Sequence, residues 1–206
     1  MGMPNLVRCY TVAEVLEFPE DGNRYEVVRG ELLVTPSPRL HHQLVITRLV
    51  QQLRNYLGPL GLSDLVLTAP ADITWGVHPQ QAEELVQPDI FVIHPDDAAS
   101  QWLDVKRLVL VIEVVSPSST RGDRVVKRQA YQRHQVPAYW VVDPDSALAE
   151  IWSPHEDRPA IMTDTIVWKW NETTPELRIA LADLFAPPLR SKERTSPSPV
   201  RERGQG

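Results

Sequence analysis

Residues 108–115 read Leu108-Val109-Leu110-Val111-Ile112-Glu113-Val114-Val115, a run of aliphatics interrupted by one carboxylate and closed by Ser116-Pro117. That length and β-branched content predict an internal strand of a sheet covered on both faces. An ionised carboxylate left unpaired there costs several kcal/mol, so Glu113 must be protonated, paired with a cation or ligated to a metal. Upstream, the run from Val86 to Ile93 repeats the pattern with Asp89 as its one acid. Two such strands side by side bring two carboxylates together.

The chain of 206 residues is long enough to bury a core as one domain, expected over 1–186, without disulfides or structural metals. Its single cysteine, Cys9, excludes an internal disulfide and a multi-cysteine zinc site, and fits a reducing cytoplasm. No secretory signal and no membrane span are expected from the apolar segments. The net charge is -6; from Arg190 onward five cations stand against two acids, which leaves 16 cations and 25 acids, about -9, for the rest. A body this acidic is not built to coat duplex nucleic acid. Residues 187–206, rich in Pro, Ser, Arg and Glu, read as a disordered tail.

Along the chain, Thr11 and Glu14 form a capping box for a short helix ending near Pro19. Arg24 to Val28 and Glu31 to Val34 flank Arg29-Gly30 as a hairpin. Apolar residues from Leu44 to Leu57 keep helical spacing and predict the main packing helix, starting near Pro38. Leu65 to Trp75 reads as one or two strands, followed by a polar loop through Gln81 and a connecting segment with Trp102. Thr120 to His134 reads as a polar helix, and Ala138 to Asp143 as a strand. Ala147 to Trp152 and Thr165 to Trp170 are expected as antiparallel additions at the sheet edge. The fold class is α/β, a mixed sheet flanked by helices.

Two strand-borne acids with a lysine nearby are the working parts of a metal-dependent phosphodiesterase. Carboxylate oxygens are the hard ligands that Mg²⁺ or Mn²⁺ prefers, and a cation beside them neutralises charge developing at phosphorus. The position two after Glu113 is Val115, not lysine, and the nearest candidate is Lys127 on the following helix. Each residue also has a plainer reading. Asp89 can be a strand-start acid after Pro88, Glu113 a buried ion-pair partner of Lys127 or Arg124, and Lys127 a helix-face partner of Asp123. Tyr131, four residues beyond Lys127, can simply pack, and His42 can cap the long helix or sit at the core edge. Arg121, Arg124, Lys127, Arg128 and Arg133 make this helix the most cationic ordered segment, either a backbone-contacting face or a solvated one.

Pro88-Asp89, Glu113 to Ser119, Asp123-x-x-x-Lys127-x-x-x-Tyr131 and Tyr139-Trp140-Val141-Val142-Asp143-Pro144 together resemble the Uma-type endonuclease-like family of the PD-(D/E)XK nuclease superfamily. Tyr25 to Leu32, His42-Gln43 and Leu181 to Phe185 extend the resemblance over roughly residues 10–186. It implies a restriction-endonuclease-like core in which Asp89, Glu113 and the Val114 carbonyl bind Mg²⁺ or Mn²⁺. Lys127 then substitutes for the superfamily's strand lysine, and Glu26, His42 and Tyr131 are possible additional site residues. The implied substrate is nucleic acid, DNA first; a homodimer is plausible for nucleases of this build, and Thr165 to Trp170 is an edge that needs covering. A nuclease-like domain that binds nucleic acid or protein without cutting is the alternative. The chain departs from the family pattern at Arg29, Gln135 and Ala138, where an acid, a glycine and an acid are usual.

Overall fold

The computed structural model describes residues 8–75, 82–98, 105–116 and 119–188. Gln81, Trp102, Pro117-Ser118 and the tail from 189, on which parts of the sequence reading fell, lie outside the described residues.

The first strands form a hairpin, β1 (Arg24–Val28) against β2 (Glu31–Thr35), with Val28 opposite Glu31. Its turn residues Arg29 (φ 48) and Gly30 (φ 88) are both left-handed, as a two-residue turn matched to strand twist requires. A Cβ on Gly30 would also meet Cys9 Cβ at 3.1 Å. Helix α1 (Val12–Leu16) starts at the expected capping box: Thr11 Oγ1 accepts from Glu14 N–H at 3.2 Å, and Glu14 Oε2 accepts from Thr11 N–H at 2.8 Å. It buries Val12 and Val15 in a small cluster with Val27, Ala82 and Leu85.

Strand β1 also pairs with β5 (Glu84–Val86), and β5 with β4 (Ile73–Thr74), which completes a four-stranded antiparallel sheet in the order β2-β1-β5-β4. The larger sheet has the order β10-β9-β8-β7-β6-β3, from β3 (Val66–Thr68), β6 (Ile90–Ile93), β7 (Leu108–Val114), β8 (Ala138–Asp143), β9 (Leu148–Trp152) and β10 (Ala160–Met162). Only β7 and β8 are parallel, joined by a helical crossover, so the sheet is mixed and the fold α/β as expected. Helix α2 (Leu40–Leu57) buries Val45, Ile46, Leu49, Leu53 and Leu57 in the main core. Among the described residues no helix is long and apolar enough to cross a membrane.

Two expectations are corrected and two are refined. The run from Val86 to Ile93 is two strands in two sheets, because Pro88 has no N–H to continue a ladder, and Asp89 stands at the joint. The segment from Leu65 to Trp75 is two strands, within the expectation of one or two, and crosses between the same two sheets as β3 and β4. Strand β9 is interior because β10 covers it, while β11 (Thr165–Trp168) pairs, among the described residues, with β12 (Leu177–Ala180) in a separate ribbon. The helix after β7 is not α-helical throughout: residues Gly122–Lys127 wind as a π-helix, with Arg128 N–H reaching Asp123 O, before α3 (Arg128–Arg133). The ribbon continues into α4 (Leu181–Leu184), which α2 holds through Arg48 Nη1, donating to Leu184 O at 2.8 Å and Ala186 O at 2.5 Å.

Candidate active site

Antiparallel pairing sets Ile90 opposite Ile112, so Asp89 and Glu113, one residue further out on each chain, become neighbours. Their backbones lock the pair: Asp89 N–H donates to Glu113 Oε2 at 3.3 Å, and Val114 N–H donates to Asp89 Oδ2 at 2.9 Å. On Asp89, Arg24 Nη1 donates to Oδ1 at 2.9 Å and His42 Nε2 lies 3.2 Å from Oδ2. On Glu113, Oε1 accepts from Lys127 Nζ and from the Tyr131 hydroxyl, both at 3.0 Å. Lys127 Nζ also lies 2.9 Å from Glu26 Oε1 and 3.1 Å from Asp123 Oδ1. The π-helical turn places Asp123 and Lys127 together against the sheet, and the Tyr139 hydroxyl fixes it by donating to Asp123 O at 2.8 Å.

Asp89, Glu113, Val114, Asp123 and Lys127 line one cavity of about 230 Å³, with Arg24, His42 and residues 35–39 in its wall. Glu26 and Tyr131 are fully buried and not in that wall; they reach Lys127 and Glu113 from the protein side. Glu26 Oε1 accepts from Gln87 N–H at 2.7 Å, whereas Oε2 has no hydrogen-bond partner among the described residues.

Four buried carboxyl groups (Glu26, Asp89, Glu113, Asp123) thus face two permanent cations, Arg24 and Lys127. Burial alone would raise the Asp89 pKa, but the His42 hydrogen bond and the Arg24 charge outweigh it and hold the carboxyl at about 2. Glu113 goes the other way. Burial pushes it well above the usual carboxylate range, Lys127 opposes this, and the charges of Asp123, Asp89 and Glu26 add to it. Burial raises Glu26 as well, against Lys127. Lys127 is itself lowered by burial but raised further by its three carboxylates, so its Nζ stays an ammonium. Tyr131, raised by burial and by Glu113, stays a hydroxyl donor.

A divalent cation suits this cluster, since it would offset the excess of carboxyl groups and let Glu113 give up the proton that burial favours. Among the described residues no three His, Cys, Asp or Glu side chains are grouped as a ready-made metal cage. Two carboxylates, a main-chain carbonyl and retained waters suit Mg²⁺ or Mn²⁺ rather than a structural zinc.

The residues singled out from sequence therefore converge, with altered parts for some. Tyr131 does more than pack, because its hydroxyl touches Glu113, and His42 touches Asp89 rather than capping α2. Two residues were missed as site members. Arg24 has a visible signal in its i, i+2 spacing from Glu26, which puts both on one face of β1. Asp123 was quoted in the motif that carries the family resemblance but given no role beyond that of a helix-face partner of Lys127. The expected cationic face of the helix is already committed: Arg121 pairs with Glu31, Arg133 with Glu84, Arg124 with Asp143 at 2.7 Å and Glu150 at 2.6 Å, and Arg128 lies 4.5 Å over the Trp152 ring.

A mixed sheet thus delivers two acids and a buried lysine to one cavity. Residues 12–182 match the family described as "Uma2: Putative restriction endonuclease", and the chain belongs to that family. It is similar in structure to "a putative nuclease belonging to DUF820" from Anabaena variabilis ATCC 29413, with a TM-score of 0.67 over 85% of this chain and 97% of that one. At 18% identity that likeness is one of fold. No curated protein matches the chain.

Proposed function

We propose that the protein is a metal-dependent nuclease hydrolysing phosphodiester bonds of nucleic acid, with DNA as the first substrate to test. The observation that carries this reading is the convergence of Asp89, Glu113 and Lys127 on one cavity, in a cluster whose four buried carboxyl groups outnumber its two permanent cations. Asp89, Glu113 and the Val114 carbonyl would hold the Mg²⁺ or Mn²⁺. When bound, such an ion polarises a phosphoryl oxygen and lowers the pKa of water. Water adds to phosphorus, one ester oxygen leaves, and a phosphomonoester and a hydroxyl result.

The protein's own groups divide the remaining tasks. Arg24 and His42 fix the Asp89 carboxylate, and the Tyr131 hydroxyl fixes Glu113 Oε1. Lys127 Nζ keeps two of its three N–H donors on Glu26 and Asp123 and would turn the third from Glu113 to the charge developing on the phosphoryl oxygens once Glu113 holds the ion; as an ammonium it cannot act as a base. The test is cleavage of mixed single- and double-stranded DNA and RNA with Mg²⁺, Mn²⁺ or a chelator. Cutting that needs the ion and falls about 10²–10³-fold in Asp89→Asn and Lys127→Met is expected. Cutting unchanged in these variants would refute the assignment.

A second reading, a nuclease-like domain that binds without cutting, is favoured by one observation. Lys127 is already engaged by three carboxylates, and Asp89 by Arg24, His42 and Val114 N–H. Metal retention without cleavage of any substrate would select it.

A further inference from the structure

The form of nucleic acid that can reach the cavity is constrained by depth and by charge. Asp89 and Glu113 are only 4% and 1% exposed, and residues 35–39 stand in the wall of their 230 Å³ cavity. A duplex presents its phosphates on a convex cylinder, and drawing one strand out of it costs a few kcal/mol of unstacking. Holding a duplex also requires a basic surface that neutralises several phosphates. The chain carries -6, and the arginines of the crossover helix are spent on Glu31, Glu84, Asp143, Glu150 and Trp152.

One cation at the mouth is not spent. Of the four basic side chains lining the cavity, Lys127, Arg24 and His42 each face a carboxylate, whereas Arg39 is exposed and has no acidic partner among the described residues. Beyond the same residues 35–38 a second groove of about 780 Å³ begins, sharing Arg24 with the cavity and lined by Asn23, Gln43 and Gln87 together with the acids Glu20 and Asp72. The amide nitrogens of Asn23 and Gln87 already donate to Asp21 at 3.1 Å and Asp72 at 2.7 Å, so Gln43 is the carboxamide that offers both donor and acceptor to a base edge, and the groove gives the neighbouring nucleotides a place to lie.

We infer that the site takes an unpaired strand, with one phosphodiester in the cavity, the adjoining nucleotides along this groove, and Arg39 donating to a phosphate oxygen at the mouth. This rests on the nuclease reading and adds to it a substrate class and a substrate-binding residue.

Fluorescence anisotropy on the full chain tests it, with a short labelled single strand and the blunt duplex of the same sequence, and with Ca²⁺ in place of Mg²⁺. The wild type is expected to bind the single strand more tightly. Arg39→Ala should weaken that binding about tenfold and make the slope of log K against log salt shallower by about 0.7, the loss of one phosphate contact on a single strand. Arg39→Lys should restore the slope. Tighter duplex binding by the wild type, or an Arg39→Ala protein with unchanged affinity and slope, overturns the inference and leaves the nuclease reading standing. Binding of neither strand overturns both.

Discussion

Glu113 accepts from Lys127 and Tyr131 on one oxygen and from Asp89 N–H on the other, yet three further carboxyl groups lie close enough to oppose its charge. Because its folded pKa lies above the usual 4.5, the folded protein keeps a proton that the unfolded chain releases near that value. Stability of the metal-free protein therefore falls as pH rises above about 4.5, until Glu113 itself ionises. Asp89 has the opposite sign: held at about 2, it stabilises the fold above its ordinary value of 3.8 and loses this as pH falls from 3.8 towards 2. Glu113→Gln fixes the neutral form that burial favours while keeping the shape, and removes the proton that the unfolded chain releases. Thermal melts without metal should show a higher Tm than wild type near neutral pH and a flatter pH profile above 4.5; a lower Tm there would contradict this account of Glu113. Glu113 and Asp89 were legible in the sequence because each is the lone acid of an apolar run. Lys127 was legible only through Glu113, and Asp123 was hidden because an Asp four residues before a Lys is ordinary on any helix face.

At the scale of elements, hydrophobic period recovered α2, β7 and β8, and turn chemistry recovered the β1–β2 hairpin. Period could not show that two apolar runs each change sheet, since burial looks alike in either sheet. Nor could it show the π-helical turn, which a few residues of 3.6-fold pattern do not distinguish from α. The turn matters because it carries both Asp123 and Lys127 to the site. At the other end of the crossover helix, Gln135 has a φ of 54, in the left-handed region that favours glycine. Its hydrogen bonds satisfy the helix end: Gln135 N–H donates to Gln132 O and Val136 N–H to Tyr131 O, both at 3.0 Å. Gln135→Gly relieves the Cβ strain there and should stabilise the protein by about 1 kcal/mol in urea denaturation, with cleavage unaltered. A destabilised variant would mean that the Gln135 side chain, which donates to Gln132 O, outweighs that strain.

For the whole molecule, the two sheets and the crossover helix each supply part of one charge cluster. Arg24 and Glu26 come from the small sheet, Asp89 from the joint between sheets, Glu113 from the large sheet, and Asp123 and Lys127 from the π-helical turn. Sequence alone placed the pieces without their order, because the joint between sheets is a tertiary feature. The cluster's shortfall of positive charge is the central claim, and calorimetric titration of Mn²⁺ in buffers of different ionisation enthalpy reads it directly. The wild type should bind Mn²⁺ with release of protons, since an ion arriving at Glu113 displaces the proton that burial favours there. Both the binding and the proton release should vanish in Glu113→Gln. A wild type that takes up no Mn²⁺, or a Glu113→Gln protein that binds it as well as the wild type, would contradict the account.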